Sequence, residues 1–304
     1  MDVALTGATG AIGSRLLGLL LDDPDVATVR SVARRDLAEH PKLVHTRADL
    51  CDPQARQALL GCDVLYHLAF QLWRSGAANA LGPVNVEGTR NVLAAGPGRV
   101  VLASSAAVYG AWPDNPLPLT ETSTPRPNAE VPYARHKLVA ERLCADAAPT
   151  AALRISAVLG PSSDHRVKRS ARGYRVAVPA VRGVHQALQF LDEDDAAGAL
   201  HAAGRGMATG VFNVATDDWL SESDIARLAG GRVVRMPLRA VLAASEAAVR
   251  LRLMPFGADR SIFLNGPLAL DPSLAGAADA LGWRPSRSSA DVLAEFVGRA
   301  PRSG

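Results

Sequence analysis

The chain begins with a strand, a glycine-rich turn and a helix, and this opening constrains the rest of the fold more than any other feature. Val3-Ala4-Leu5 has the pattern of a short buried strand, Gly7 to Gly13 form the turn, and Ser14 to Leu21 carry apolar residues at helical spacing. The turn reads Thr6-Gly7-Ala8-Thr9-Gly10-Ala11-Ile12-Gly13, with GxxGxxG spacing, one residue longer than the GxGxxG fingerprint. Glycine lets a backbone turn sharply and approach a phosphate. A helix N-terminus adds unsatisfied N–H groups and a partial positive charge. Thr6, Gly7, Gly10, Ile12 and Gly13 are therefore candidate residues of a dinucleotide pyrophosphate cradle, with a simple tight turn as the plainer alternative.

The rhythm continues beyond the turn. Apolar spacing predicts strands over 28–33, 43–46, 63–68, 99–103 and 151–158, and helices over 53–60, 84–95 and 133–146. Strands alternating with helices of this length predict βαβ units and an α/β fold, a doubly wound parallel (Rossmann) sheet covered on both faces. Six prolines from Pro113 to Pro132 make that stretch a loop. After Pro161 regularity fades through Tyr174. Short strands follow over 188–191 and 211–214, then helices over 221–228, 239–253 and 290–297. The expected division is a dinucleotide-binding domain over 1–160 plus about 186–215, and a smaller discontinuous substrate domain over about 161–185 plus 216–304.

An NAD site usually places an acid at the end of the second strand, where it holds the ribose 2′-hydroxyl. Here Ala33 stands at that place, followed by Arg34 and Arg35, which suit a 2′-phosphate through charge-assisted bonds. The cofactor expectation is NADP ahead of NAD, the alternative being a solvated arginine loop. Asp49-Leu50 either holds the adenine edge or, through Asp49, caps the next helix.

Tyr133-Ala134-Arg135-His136-Lys137 puts a phenol and an ammonium four residues apart on one helix face. With four tyrosines and only three lysines in the chain, about 0.04 such pairs are expected by chance. A nearby ammonium favours the phenolate, so Lys137 is expected to lower the Tyr133 pKa and make it a general acid/base. Ser104-Ser105 follows a strand at the carboxyl end of the sheet, where a hydroxyl can donate to a substrate carbonyl.

The TGATGAIG turn, Asp49-Leu50, His67-Leu68-Ala69, Asn85-Val86-Glu87-Gly88-Thr89, the segment from Ser105 to Gly110 and that from Tyr133 to Lys137 together resemble the extended short-chain dehydrogenase/reductase superfamily, which includes the NAD-dependent epimerases and dehydratases. The likeness continues in Phe212-Asn213-Val214 and Leu281-Gly282-Trp283-Arg284-Pro285. It implies Tyr133 as acid/base, Lys137 as its activator and a ligand of the nicotinamide ribose, Ser105 as carbonyl donor, Asn85 as a support of the active site, and Leu68 and Ala69 against the cofactor. Nucleotide-sugar members usually carry asparagine where this chain has Ala157, which weighs against a sugar nucleotide. The expected reaction is hydride transfer between a nicotinamide and a carbonyl or secondary alcohol. The alternatives are a nucleotide-sugar epimerase or dehydratase with retained NAD, and a non-catalytic dinucleotide sensor.

Composition narrows the remaining classes. Charged residues are 21% of the chain and the net charge is only +3, so a small-molecule substrate is expected rather than nucleic acid. No run approaches the roughly 18 apolar residues of a membrane span, and no basic segment or cleavage site marks a signal, so a cytoplasmic protein, with a homodimer as one option, is expected. Cys51, Cys62 and Cys144 form no CxxC pair, and no metal site is expected. His67 reads as a packed strand-end residue, Asp192 to Asp195 as a helix N-terminus, and Trp73 and Trp112 as either packing residues or the mouth of a substrate site.

Overall fold

The computed structural model describes residues 1–72, 83–163, 165–251, 257–272 and 277–298. Its strands are β1 (Asp2–Thr6), β2 (Thr28–Ala33), β3 (Leu43–Arg47), β4 (Val64–His67), β5 (Arg99–Ser105), β6 (Thr150–Ile155), β7 (Ala157–Leu159), β8 (Ala177–Val181), β9 (Phe190–Asp192), β10 (Gly210–Val214) and β11 (Arg232–Met236). The helices are α1 (Ala11–Asp22), α2 (Pro53–Ala58), α3 (Gly88–Leu93), α4 (Pro132–Ala147), α5 (His165–Gly173), α6 (Glu193–Arg205), α7 (Glu222–Ala229), α8 (Leu238–Arg250), α9 (Ala258–Ser261), α10 (Ala277–Leu281) and α11 (Ser289–Phe296).

Seven parallel strands form the central sheet in the order β3-β2-β1-β4-β5-β6-β10. Sequence order runs outward in both directions from the middle, so the connections part between β1 and β4 and leave a crevice at their carboxyl ends. The sheet is covered on both faces, which is why its strands read as continuous apolar runs. On one face Leu16 and Leu20 of α1 and Ala196 and Leu200 of α6 pack with Val3, Leu5, Val101 and Leu153. On the other, Ala55, Val92, Ala140 and Cys144 from α2, α3 and α4 cover Ala4, Leu65, Leu102 and Ala152. Two smaller parallel pairs, β7 with β9 and β8 with β11, lie outside this sheet.

Several element expectations need correction. The strand expected over 151–158 is two strands. Ser156 N makes a last rung to Val214 O at 2.9 Å, after which the backbone leaves the sheet and β7 pairs with β9. The helix expected over 84–95 opens as a wider π turn, Pro83–Glu87, before α3 takes over. The stretch read as irregular after Pro161 contains α5, His165–Gly173, whose apolar stripe is only Val167 and Ala171, four residues apart and both packed on the core, among basic residues. The sequence carries no clear strand signal at β8, which Pro179 interrupts, or at β11, where exposed Arg232 and Arg235 alternate with partly covered valines.

Candidate active site

The glycine turn lies at the crevice, and its shape explains its composition. Gly7 has φ +80°, and a Cβ there would sit 2.7 Å from Ala69 N. A Cβ on Gly13 would sit 2.1 Å from Gly7 O, so helix and turn approach too closely for any side chain. Gly10 N donates to Gly7 O at 2.9 Å. Gly10 then caps α1 with no side-chain acceptor, and no acid stands in the first helical turn. The leading N–H groups of α1 are thus left for an anionic ligand, and the cradle fits a pyrophosphate. Thr6 Oγ1 accepts from Leu68 N and Ala69 N, both at 3.2 Å, which draws the end of β4 against the turn.

The residues expected to select the cofactor lie in two different places. Arg35 donates back to Thr9 O of the turn, so its side chain sits where the cradle ends, and Arg34 stands exposed beside it. Asp49 Oδ1 accepts from Cys51 N at 3.0 Å, a loop cap, and the Leu50 side chain enters the core beneath Gly88. Asp52, not Asp49, takes the N-cap position of α2.

Ser105, Tyr133 and Lys137 come together at the carboxyl end of β5. Ser105 caps a 3₁₀ turn, with its Oγ accepting from Ala107 N at 3.2 Å, and is also hydrogen-bonded to Tyr133. Lys137, one helical turn after Tyr133, is buried and donates to Ala103 O at 2.5 Å. Phe70, three residues beyond His67, joins them. Its ring centroid lies 3.7 Å from Lys137 Nζ, and the ring meets Tyr133 edge-to-face at 5.8 Å and 84°.

The electrostatics differ from the expected ones. Burial pushes the Tyr133 phenol up to about 12, against the opposing pulls of Ser105 and of the Arg260 guanidinium. Burial also pulls Lys137 down to about 7. Desolvation outweighs attraction here because the ammonium, 5.7 Å from the centre of the Tyr133 ring, is itself poorly solvated beneath Phe70. The positive charge that lowers the Tyr133 pKa against burial is that of Arg260, and sequence spacing alone gave no sign of it. One arginine among the chain's many carries no local signal until the fold packs Ile262, two residues further on, against Val131 and Ala134.

Asn85 clamps the strand exit. Its Oδ1 accepts from Gln71 N at 2.8 Å, its Nδ2 donates to Gln71 O at 3.0 Å, and it also meets His136 Nδ1 at 3.4 Å. Below it runs a buried chain. Thr89 Oγ1 donates to Asn85 O at 2.6 Å, so it must accept from His67 Nε2–H at 2.9 Å, and His67 Nδ1 must accept from Thr6 Oγ1 at 2.8 Å. Neutral His67 is fully used, and burial lowers its pKa from 6.5 to about 3. Between those values the unfolded chain binds the extra proton, so stability falls as the pH drops through 6.5 toward 3. Urea unfolding should show a loss of up to about 2 kcal/mol between pH 6.5 and 5 from this group alone. In His67→Asn that slope should flatten even though the variant is less stable at pH 7.

Other candidates take structural places. Trp112 Nε1 donates to Arg126 O at 2.7 Å with the Arg126 guanidinium over its ring, so it locks its own loop. Trp73 lies outside the described residues. Asp192 caps α6, Glu193 accepts from Ser162 N, and Asp195 accepts from Ser286 N, so these acids fasten the helix start.

Strand order, cradle and the Ser105, Tyr133 and Lys137 cluster define an extended short-chain dehydrogenase/reductase fold. The chain belongs to the NAD dependent epimerase/dehydratase family, whose model matches residues 3–215. It is 31% identical over 256 residues to an uncharacterized protein of Mycobacterium tuberculosis, covering 77% of this chain and 67% of that one. It is 30% identical over 191 residues to the 2-alkyl-3-oxoalkanoate reductase of Stenotrophomonas maltophilia, covering 58% of this chain and 56% of the relative. Among solved structures it resembles MoeE5 in complex with UDP-glucose and NAD, with TM-score 0.71 and 25% identity over 98% of this chain and 97% of the other. Among the described residues no helix is long and apolar enough to cross a membrane.

Proposed function

We propose that this chain is an NAD(P)-dependent oxidoreductase acting on a carbonyl or secondary alcohol, in the direction of carbonyl reduction. The observation that carries this reading is the hydrogen-bonded Ser105–Tyr133 pair at the end of β5, with Lys137 one turn away. The residues that would hold the dinucleotide are Thr6, Gly7, Gly10, Ile12 and Gly13 at the pyrophosphate, Leu68 and Ala69 beside it, Arg34 and Arg35 at the adenosine ribose, Asp49 and Leu50 toward the adenine, and Tyr133 and Lys137 at the nicotinamide ribose. Bound NAD(P) supplies hydride exchange at its nicotinamide. Ser105 Oγ and Tyr133 Oη donate to the substrate oxygen, and Tyr133 passes its proton to that oxygen as it becomes a hydroxyl. A phenol held near 12 is protonated at neutral pH and well matched to a strongly basic alkoxide, which favours its use as the acid. Lys137 and Arg260 then stabilise the phenolate. The substrate would sit between residues 1–160 with 186–215 on one side and 161–185 with 216–304 on the other, in a cytoplasmic protein.

The family model and the likeness to MoeE5 with UDP-glucose and NAD support a second reading, a sugar-nucleotide epimerase or dehydratase that keeps its cofactor. Ala157, exposed at the start of β7, offers such a sugar no polar contact, and the oxoalkanoate reductase relative favours the first reading.

Titration with NADPH and NADH, followed by turnover with ketones, tests the assignment. NADPH is expected to bind more tightly. In an Arg34→Ala, Arg35→Ala double variant, the preference should fall by about ten- to a hundredfold while NADH affinity holds. Tightly retained NAD(H) in the purified protein would instead move the epimerase or dehydratase reading to first place.

A further inference from the structure

α5 and the turn after it concentrate the positive charge of the chain. From His165 to Arg175 the sequence carries Arg166, Lys168, Arg169, Arg172 and Arg175, and no acid. Val167 and Ala171 turn one side of α5 into the core formed by Leu220, Ile225 and Leu293. Lys168 and Arg172, each one residue further on, make a second pair four apart beside that stripe. Like charges at this spacing repel, and no acid on the helix offsets them. Both side chains line a cavity of about 510 Å³ between α5, the residues that end β7, and α11. Arg175 and Arg287 complete its cations, and Asp192 and Glu295 are its acids. Arg287 already holds both acids, at 3.0 and 2.6 Å. Lys168 donates to Pro161 O at 2.6 Å, and Arg175 donates to the carbonyls of Val297 and Gly298, all of them neutral. Arg172 meets no carboxylate among the described residues. Four cations against two acids leave two positive charges in excess, on Lys168, Arg172 and Arg175. Leu159, Val292, Phe296 and Val297 give the same cavity an apolar lining.

We propose that this cavity is a second ligand site, separate from the dinucleotide cradle and the reacting carbonyl, and that it takes a small organic phosphate monoester. A phosphate monoester carries close to two negative charges at neutral pH and three strong acceptor oxygens. That matches the excess charge of the cavity and the three cations that lack a counter-charge. A carboxylate would balance only one of the two charges. The apolar lining suits the carbon skeleton of the ester, and the volume falls within the roughly 300–1,000 Å³ common for small-molecule sites. None of the lining residues belongs to the glycine turn or to the cluster of Ser105, Tyr133 and Lys137. The site therefore stands or falls independently of the reaction proposed above.

The test is calorimetric titration of the full chain with phenyl phosphate, inorganic phosphate and benzoate. Saturating NAD is present throughout, because it occupies the cradle and carries no phosphate monoester of its own. Phenyl phosphate is expected to bind at least about tenfold more tightly than either partner, since benzoate lacks the second charge and inorganic phosphate lacks the ring. Its affinity should fall as the pH drops below about 6, where the dianion takes up a proton while the arginines stay charged. Arg172→Gln should weaken it in part, and the Lys168→Gln, Arg172→Gln double variant at least about thirtyfold, with NAD affinity unchanged. Both side chains lie outside the packed core, so these variants should keep the wild-type melting temperature. No binding of phenyl phosphate, an affinity that survives in the double variant, or binding seen only when NAD is left out would each overturn the proposal. So would inorganic phosphate binding as tightly as phenyl phosphate, which would make the cavity the seat of an adventitious ion only.

Discussion

Tyr133→Phe should lose about a hundred- to ten-thousandfold in kcat for carbonyl reduction while binding dinucleotide as the wild type does. The six-membered ring stays, so the edge-to-face contact with Phe70 and the packing with Ala134 and Ile262 are retained. What disappears is the proton that the substrate oxygen must gain and one of its two hydroxyl donors. Ser105 remains as the other donor, which is why the remaining rate should exceed that without enzyme. Single-turnover kinetics with NADPH would separate this loss from any change in product release. A variant with full turnover would remove Tyr133 from the chemistry and with it the Ser105–Tyr133–Lys137 reading.

Glu141→Leu should cost about 3–5 kcal/mol of stability and lower the melting temperature by on the order of 10 °C. Glu141 lies on α4 below Lys137 and is almost fully buried. It accepts from Ser104 Oγ at 2.5 Å, from Arg154 Nε at 3.1 Å and from Arg154 Nη2 at 2.8 Å. Arg154 Nη1 continues to Tyr109 Oη at 2.9 Å, and Tyr109 donates to Asn213 Oδ1 at 2.9 Å. Removing the carboxylate leaves the Arg154 guanidinium buried without its counter-charge, and that desolvated cation is the source of the loss. A second change, Arg154→Met, should recover much of the stability in thermal unfolding. Recovery would show that the cost lies in the orphaned charge rather than in packing around residue 141.

Much of this could be read before any coordinates. The glycine spacing, the βα rhythm and the Tyr133–Lys137 pair are local patterns, and local patterns survive in one dimension. Ser105 and Asn85 came from ordered motifs, and the fold sets Asn85 against the exit of β4, next to the helix of Tyr133. What the sequence hides is whatever depends on long-range approach. Phe70 looks like an ordinary strand-end aromatic until its ring lies over Lys137. Arg260 is separated from Tyr133 by most of the second half of the chain. The ionisation of Tyr133 was misread for the same reason: spacing reveals that an ammonium is near, but burial, which sets the sign, is a property of the folded interior. Likewise β6 and β7 form one apolar run in sequence, and only the rung from Ser156 to Val214 marks where the chain changes sheets.

The grip of Asn85 on both backbone polar groups of Gln71 has a consequence for redesign. It fixes the point at which the chain leaves β4, just beyond Leu68, Ala69 and Phe70, and it does so from a residue on the far side of the intervening segment. A substitution at Asn85 should therefore disturb the exit of β4 and, through it, the placement of Phe70 over Lys137, even though the bonds of Asn85 reach Gln71 and not Phe70 itself.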